Sequence, residues 1–306
     1  VRNILLGLAA AAALAFISPV QAQTSSLRDA FGPAPSSEEL AKLPQTPGAK
    51  GDQQRHYFFA AADKEMPYRL YVPKNYDPKV ATPLIVALHG YGGNQNYFFA
   101  IAKDVQTLCD KYGFIFVAPL GYSRTSWYGA PLSIPGDIPR SPPPSGQAAK
   151  NAPPPPPTEP EKSPAEQRHE RALSEMDVMN VLGLVRHEYN VDPARIYLMG
   201  HSMGGFGTWF LGAKYSDIWA AIAPMSGTFA NHDFHLADLK NVPVMLAVGS
   251  TETATVSASK AEIDAMNVAG MTTAYFEAEG GTHMSMIAPS VPEIFAFFVK
   301  QKKDPK

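Results

Sequence analysis

Cysteine is nearly absent from this chain: Cys109 is the single one among 306 residues. That excludes an internal disulfide and a zinc cage built from several thiolates. Excess charge is absent too, since 26 Lys and Arg against 28 Asp and Glu leave a formal net charge of −2. A chain that grips nucleic acid by neutralising phosphates needs a cationic excess, so no nucleic-acid partner is expected. Charged residues make up only 18% and hydrophobic residues 45%, which excludes a wholly disordered polymer. Long hydrophobic runs are scarce as well. The main one, Ile4 to Ile17, is too short to span ~30 Å of hydrocarbon comfortably, and no later run reaches ~18 residues. No internal repeat appears at periods of about 20–50 residues, so a solenoid or propeller is not expected.

What is abundant is proline, 29 residues, and it is unevenly placed. The segment 131–165 holds thirteen of them, five in succession at 153–157. Proline lacks an N–H and has a fixed φ, so this stretch is expected to be an extended insertion of polyproline II character. Residues 1–22 read as a secretory signal: Arg2, then the apolar run, then Val20-Gln21-Ala22 with small residues at the cleavage positions. The expectation is export, secreted or periplasmic, with no stable membrane insertion after processing. Residues 23–54, rich in Ser, Pro, Gln and Gly, read as a flexible N-terminal segment.

A single α/β domain is expected over 55–302. Short apolar runs at 55–60, 67–72, 84–88, 114–118, 195–199, 219–225, 243–248 and 273–278 read as strands. Several are continuous and β-branched, as strands buried on both faces are. Helical patterns lie at 95–111, 174–189, 203–214, 257–268 and 291–301. This alternation predicts a mostly parallel central sheet with helices on both faces. The first two strands have no helix between them, so they should pair antiparallel.

Gly200-His201-Ser202-Met203-Gly204 matches G-x-S-x-G between a strand and a helix. A serine hydroxyl is a poor nucleophile, and a sharp strand-to-helix turn lifts it to where a base can reach. Glycines at 200 and 204 tolerate the crowding such a turn creates. His89-Gly90-Tyr91-Gly92-Gly93 follows the strand LIVAL and can turn backbone N–H groups into a cavity. The two oxyanion donors are therefore assigned to the N–H groups of Tyr91 and Met203, with the His89 ring bracing the loop. A base should lie after the nucleophile, and His283 follows the last strand. The acid should follow the strand before that, and Glu252 is the first carboxylate there, with Asp233 as its rival. His232 and His235 lie in an acidic loop without an evident third ligand, so no metal site is expected. Trp127, after the strand FIFVAP, and His201, beside the serine, are expected to contact substrate. Trp209 and Phe210 are assigned to the core, and Met284 and Met286 to gap filling.

The motifs GHSMGGFGTW, LIVALHGYGGN, Thr125-Ser126-Trp127-Tyr128 and THMSM resemble the α/β-hydrolase superfamily across residues 55–300. More narrowly they resemble bacterial exported esterases related to feruloyl esterases, polyhydroxybutyrate depolymerases and prolyl-oligopeptidase-like catalytic domains. The resemblance implies a nucleophile at Ser202, a base at His283 and an acid after the strand at 243–248, usually aspartate, where this chain offers Glu252. It implies a cofactor-free serine ester hydrolase acting through an acyl-enzyme on a small-molecule or polymer-linked ester. The alternatives are a serine peptidase of the prolyl-oligopeptidase type and a catalytically dead binding protein on the same scaffold.

Overall fold

A computed structural model describes residues 46–131, 162–228 and 236–303. The expected signal segment, the interior of the proline-rich insertion, and His232, Asp233 and His235 lie outside the described residues. Eight strands form one sheet: β1 (Gly51–Phe59), β2 (Lys64–Val72), β3 (Thr82–Leu88), β4 (Ile115–Pro119), β5 (Val191–His201), β6 (Ala221–Met225), β7 (Val244–Gly249) and β8 (Thr273–Ala278), in the order β1-β2-β4-β3-β5-β6-β7-β8. β1 and β2 pair antiparallel, and β2 meets β4 antiparallel. All remaining pairings are parallel. This is a mostly parallel α/β sheet led by an antiparallel hairpin, as the strand pattern predicts.

The core divides by the two-residue period of the strands. Leu84, Val86 and Leu88 of β3 pack on one face with Val178 and Val181, whereas Ile85 and Ala87 pack on the other with Phe98, Phe295 and Phe298. Helices α3 (Pro164–Glu188), α4 (Met203–Lys214) and α5 (Thr253–Val268) supply the first layer. α1 (Tyr97–Ile101), α2 (Val105–Tyr112) and α6 (Ile287–Phe298) supply the second. Cys109 is fully buried in that second layer.

Among the boundaries that differ from the sequence expectation, three are informative. The helix at 95–111 is two helices, broken at Ala102 where φ is −100° and ψ is 82°. β1 begins four residues before the expected domain edge. α3 begins at Pro164 rather than at 174, inside the tail of the proline-rich segment. Its start is a capping box: the Ser163 hydroxyl accepts from Glu166 N–H, and Glu166 accepts from Ser163 N–H. Pro164 sits at the first helical position, where its missing N–H costs nothing.

The joint between β5 and α4 is the tightest place in the fold. A Cβ on Gly204 would lie 2.1 Å from the Leu88 carbonyl oxygen, and one on Gly200 would lie 2.2 Å from the Gly204 oxygen. Backbone obstructs both positions, so no rotamer change relieves them. Gly204→Ala is expected to destabilise the protein by about 3 kcal/mol, measured by chemical denaturation.

Candidate active site

The site is built at the C-terminal ends of the central strands, where an open α/β sheet gathers its loops. Ser202 terminates β5 with φ 55° and ψ −115°, a sparsely populated backbone conformation that costs on the order of 1–3 kcal/mol and persists only where its surroundings enforce it. Two backbone bonds do so: Ser202 N–H donates to the Met225 carbonyl at 2.8 Å, and the Ser202 carbonyl accepts from Phe206 N–H at 3.0 Å. The α4 N-terminus starts at the next residue, placing its positive dipole end beside Ser202.

His283 and Glu252 meet directly. The imidazole Nδ1–H donates to Glu252 Oε2 at 2.6 Å. This fixes the tautomer through the network, with the proton on Nδ1 and a lone pair on Nε2. His283 Nε2 is buried and has no hydrogen-bond partner among the described residues. The other carboxylate oxygen, Oε1, accepts from the Ser226 hydroxyl at 2.7 Å and from Gly249 N–H at 3.1 Å. Burial alone would raise the Glu252 pKa, but the bonds from His283, Ser226 and Gly249 outweigh it and hold the carboxyl below its ordinary value. The two loops are themselves stitched together. Ser250 N–H donates to Ala278 O, Thr251 N–H to Gly281 O, and Gly280 N–H to Ser250 Oγ.

The loop after β3 is held from behind. Gly92 N–H donates to the Arg124 carbonyl at 2.8 Å, and Arg124 Nε donates to Gly92 O and Gly93 O. His89 is buried, with its Nε2 2.7 Å from Leu120 O and its Nδ1 2.8 Å from Gly90 O. Burial, more than those carbonyls can offset, lowers its pKa to about 4. Tyr128 hydroxyl donates to the His89 carbonyl at 3.1 Å. The N–H groups of Tyr91 and Met203 have no protein acceptor among the described residues, so both donors are available.

Trp127 is partly buried, with its ring centroid 6.1 Å from that of Tyr91 and 5.7 Å from that of Phe206. These three aromatic rings form a ledge between the loop after β3 and the start of α4. Its supporting loop is strained: Tyr122, Trp127 and Tyr128 all have positive φ. α3 clamps it, with Asp177 accepting from Gly121 and Tyr122 N–H, and Ser174 bonding Gly121 O and Tyr128 N–H.

His201, expected at the substrate, is enclosed by the fold. Its side chain is 0% exposed, and both ring nitrogens are engaged, Nδ1 with Tyr97 Oη and Nε2 with the His283 carbonyl, each at 2.7 Å. The reason is strand geometry: successive side chains point to opposite faces, so the residue beside Ser202 is turned into the fold. Ser226 and Arg124 were missed by sequence reasoning. Ser226 carried one usable signal, its position just past β6 at the C-terminal edge of the sheet; Arg124 carried none, because its partners are backbone atoms about thirty residues away.

Residues 138–285 match the family model "Esterase: Putative esterase". Among curated proteins, the chain is 28% identical over 158 residues to a bifunctional acetylxylan esterase/xylanase of Neocallimastix patriciarum, covering 52% of this chain and 17% of that one. It is 24% identical over 158 residues to feruloyl esterase B of Talaromyces stipitatus, covering 52% and 35%. The chain thus spans less than half the length of these curated relatives. Among solved structures, a ferulic acid esterase aligns with TM-score 0.59 at 15% identity, covering 81% of this chain and 98% of that one. The feruloyl esterase module from Clostridium thermocellum, as a mutant complexed with sinapinate, aligns with TM-score 0.55 at 17% identity, covering 90% and 96%.

Two measurements probe Glu252. Ser226→Ala should lower kcat about tenfold with KM unchanged, the scale of one lost hydrogen bond to a charged group, read by steady-state kinetics. Glu252 has a depressed pKa in the fold, so its contribution to stability is present above the ordinary carboxylate pKa of about 4.3 and is lost as pH falls through the folded value. The stability gap between wild type and Glu252→Gln should therefore close below about pH 4, measured by urea denaturation across pH. The chain therefore has the fold of the solved esterases it aligns with, and its residues 138–285 are similar to the esterase family.

Proposed function

We propose that this protein hydrolyses carboxylic esters through a Ser202–His283–Glu252 triad and an acyl-enzyme. The observation that carries this reading is the buried, unpartnered His283 Nε2, held in its tautomer by Glu252, on a loop that abuts the strained Ser202 turn through His201. In this reading Nε2 accepts the Ser202 hydroxyl proton as Oγ attacks the ester carbonyl. The negative charge that develops on the carbonyl oxygen is bound by the N–H groups of Tyr91 and Met203 and favoured by the α4 dipole. The imidazolium, stabilised by Glu252, protonates the departing alcohol. Water, deprotonated by the same nitrogen, then releases the acid and frees Ser202.

The substrate is read as an ester with an aromatic acyl group, small or attached to a polymer. The Tyr91–Trp127–Phe206 ledge supports this, since flat rings recognise a flat ring by offset or edge contact. The names of the feruloyl esterase relatives point the same way. Export is part of the proposal and rests on the pattern at 1–22.

The test is a panel of acetyl, longer acyl and hydroxycinnamoyl esters. Ser202→Ala should lose about three to six orders of magnitude in kcat. Trp127→Ala should raise KM for the aromatic esters about tenfold and leave the acetyl ester unchanged. Efficient cleavage of short peptides, or equal activity of Ser202→Ala, contradicts the proposal.

A further inference from the structure

His201 is a titratable side chain buried completely, and the proton transfers above do not use it. A neutral imidazole has one donor and one acceptor, and here each nitrogen meets a group of the opposite need. The His283 carbonyl only accepts, so Nε2 must carry the hydrogen. Nδ1 then accepts from the Tyr97 hydroxyl. Burial first, and the neighbouring His283 second, lower the His201 pKa and keep it in this neutral form. The rings are layered: Tyr97 stacks on His201 at 5.9 Å and 23°, and His201 lies 4.6 Å from His283 at 51°.

The same hydrogen bond touches the loop after β3. A Cβ on Gly90 would lie 2.8 Å from Tyr97 Oη and 3.1 Å from His201 Nδ1. Gly90 is thus packed directly on the Tyr97–His201 bond, one residue before Tyr91. A single buried pair, anchored on β5 and α1, therefore supports the main chain of His283 on one side and the loop that presents the Tyr91 N–H on the other. We infer that His201 and Tyr97 form a positioning unit that holds the base and the oxyanion donor in register around Ser202. The inference rests on the esterase reading, and it assigns neither residue a contact with substrate.

The side chain that best separates positioning from packing is leucine, which fills the space of His201 without a donor. A fluorophosphonate reacts with an activated serine without needing a matched acyl pocket, so its second-order rate reports the alignment of Ser202, His283 and the oxyanion donors. His201→Leu should lower that rate about thirtyfold or more, with kcat for the preferred ester falling in parallel and KM within about twofold. His201→Gln, which keeps an N–H toward the His283 carbonyl, should return the rate to within about threefold of wild type. Tyr97→Phe, which changes a single hydroxyl, should lower it about fivefold. It serves as the decisive variant if His201→Leu does not fold, as judged by circular dichroism and thermal unfolding. Folded His201→Leu, or Tyr97→Phe, reacting at the wild-type rate overturns the inference. Wild-type protein that is not labelled at Ser202 instead overturns the esterase reading on which it depends.

Discussion

One hydrogen bond underlies the chemistry proposed for this molecule: the imidazole Nδ1–H of His283 to the carboxylate of Glu252. It decides which ring nitrogen keeps a lone pair, and so which atom can act as a base. The bond survives burial because both carboxylate oxygens are occupied, one by His283 and the other by Ser226 and Gly249. A buried carboxylate with fewer donors would be driven toward its neutral form, and a neutral carboxyl no longer stabilises an imidazolium.

The surrounding fold converts that bond into a fixed geometry. The β7 and β8 loops are joined by main-chain and Ser250 contacts, which hold Glu252 beside His283. The β3 loop is bound on its far side by Arg124 and by His89. Strain concentrates here: Ser202, Ser226, Trp127 and Tyr128 all have positive φ outside glycine. Each sits where a strand or loop must turn abruptly, and each is held by buried partners. That distribution is what a site needs when its groups must be poised before substrate arrives.

Much of this was readable in the amino-acid order. Runs such as LIVAL and VMLAV can be little else but strands buried on both faces, and the parallel sheet follows from the helical segments between them. Ser202 was visible because the turn it occupies demands glycine on either side. His283 and Glu252 were expected from their places after β8 and β7, and the structure brings these two side chains together. The early start of α3 was hidden because Pro164 reads as a breaker until Ser163 and Glu166 are seen to cap it. The burial of His201 was not legible, because nearness in sequence to Ser202 conceals the alternation of a strand. Ser226, Arg124 and Tyr97 act through contacts of long sequence separation, which no local pattern encodes.

The most direct test of the central claim is the protonation state of the His283 ring, read by long-range proton–nitrogen NMR on the nitrogen-15-labelled protein at neutral pH. The account predicts a hydrogen on Nδ1, shifted far downfield by the Glu252 carboxylate, and an Nε2 without one. A hydrogen on Nε2 with a bare Nδ1 would contradict it, because the nitrogen assigned as the base would then have no lone pair to offer Ser202.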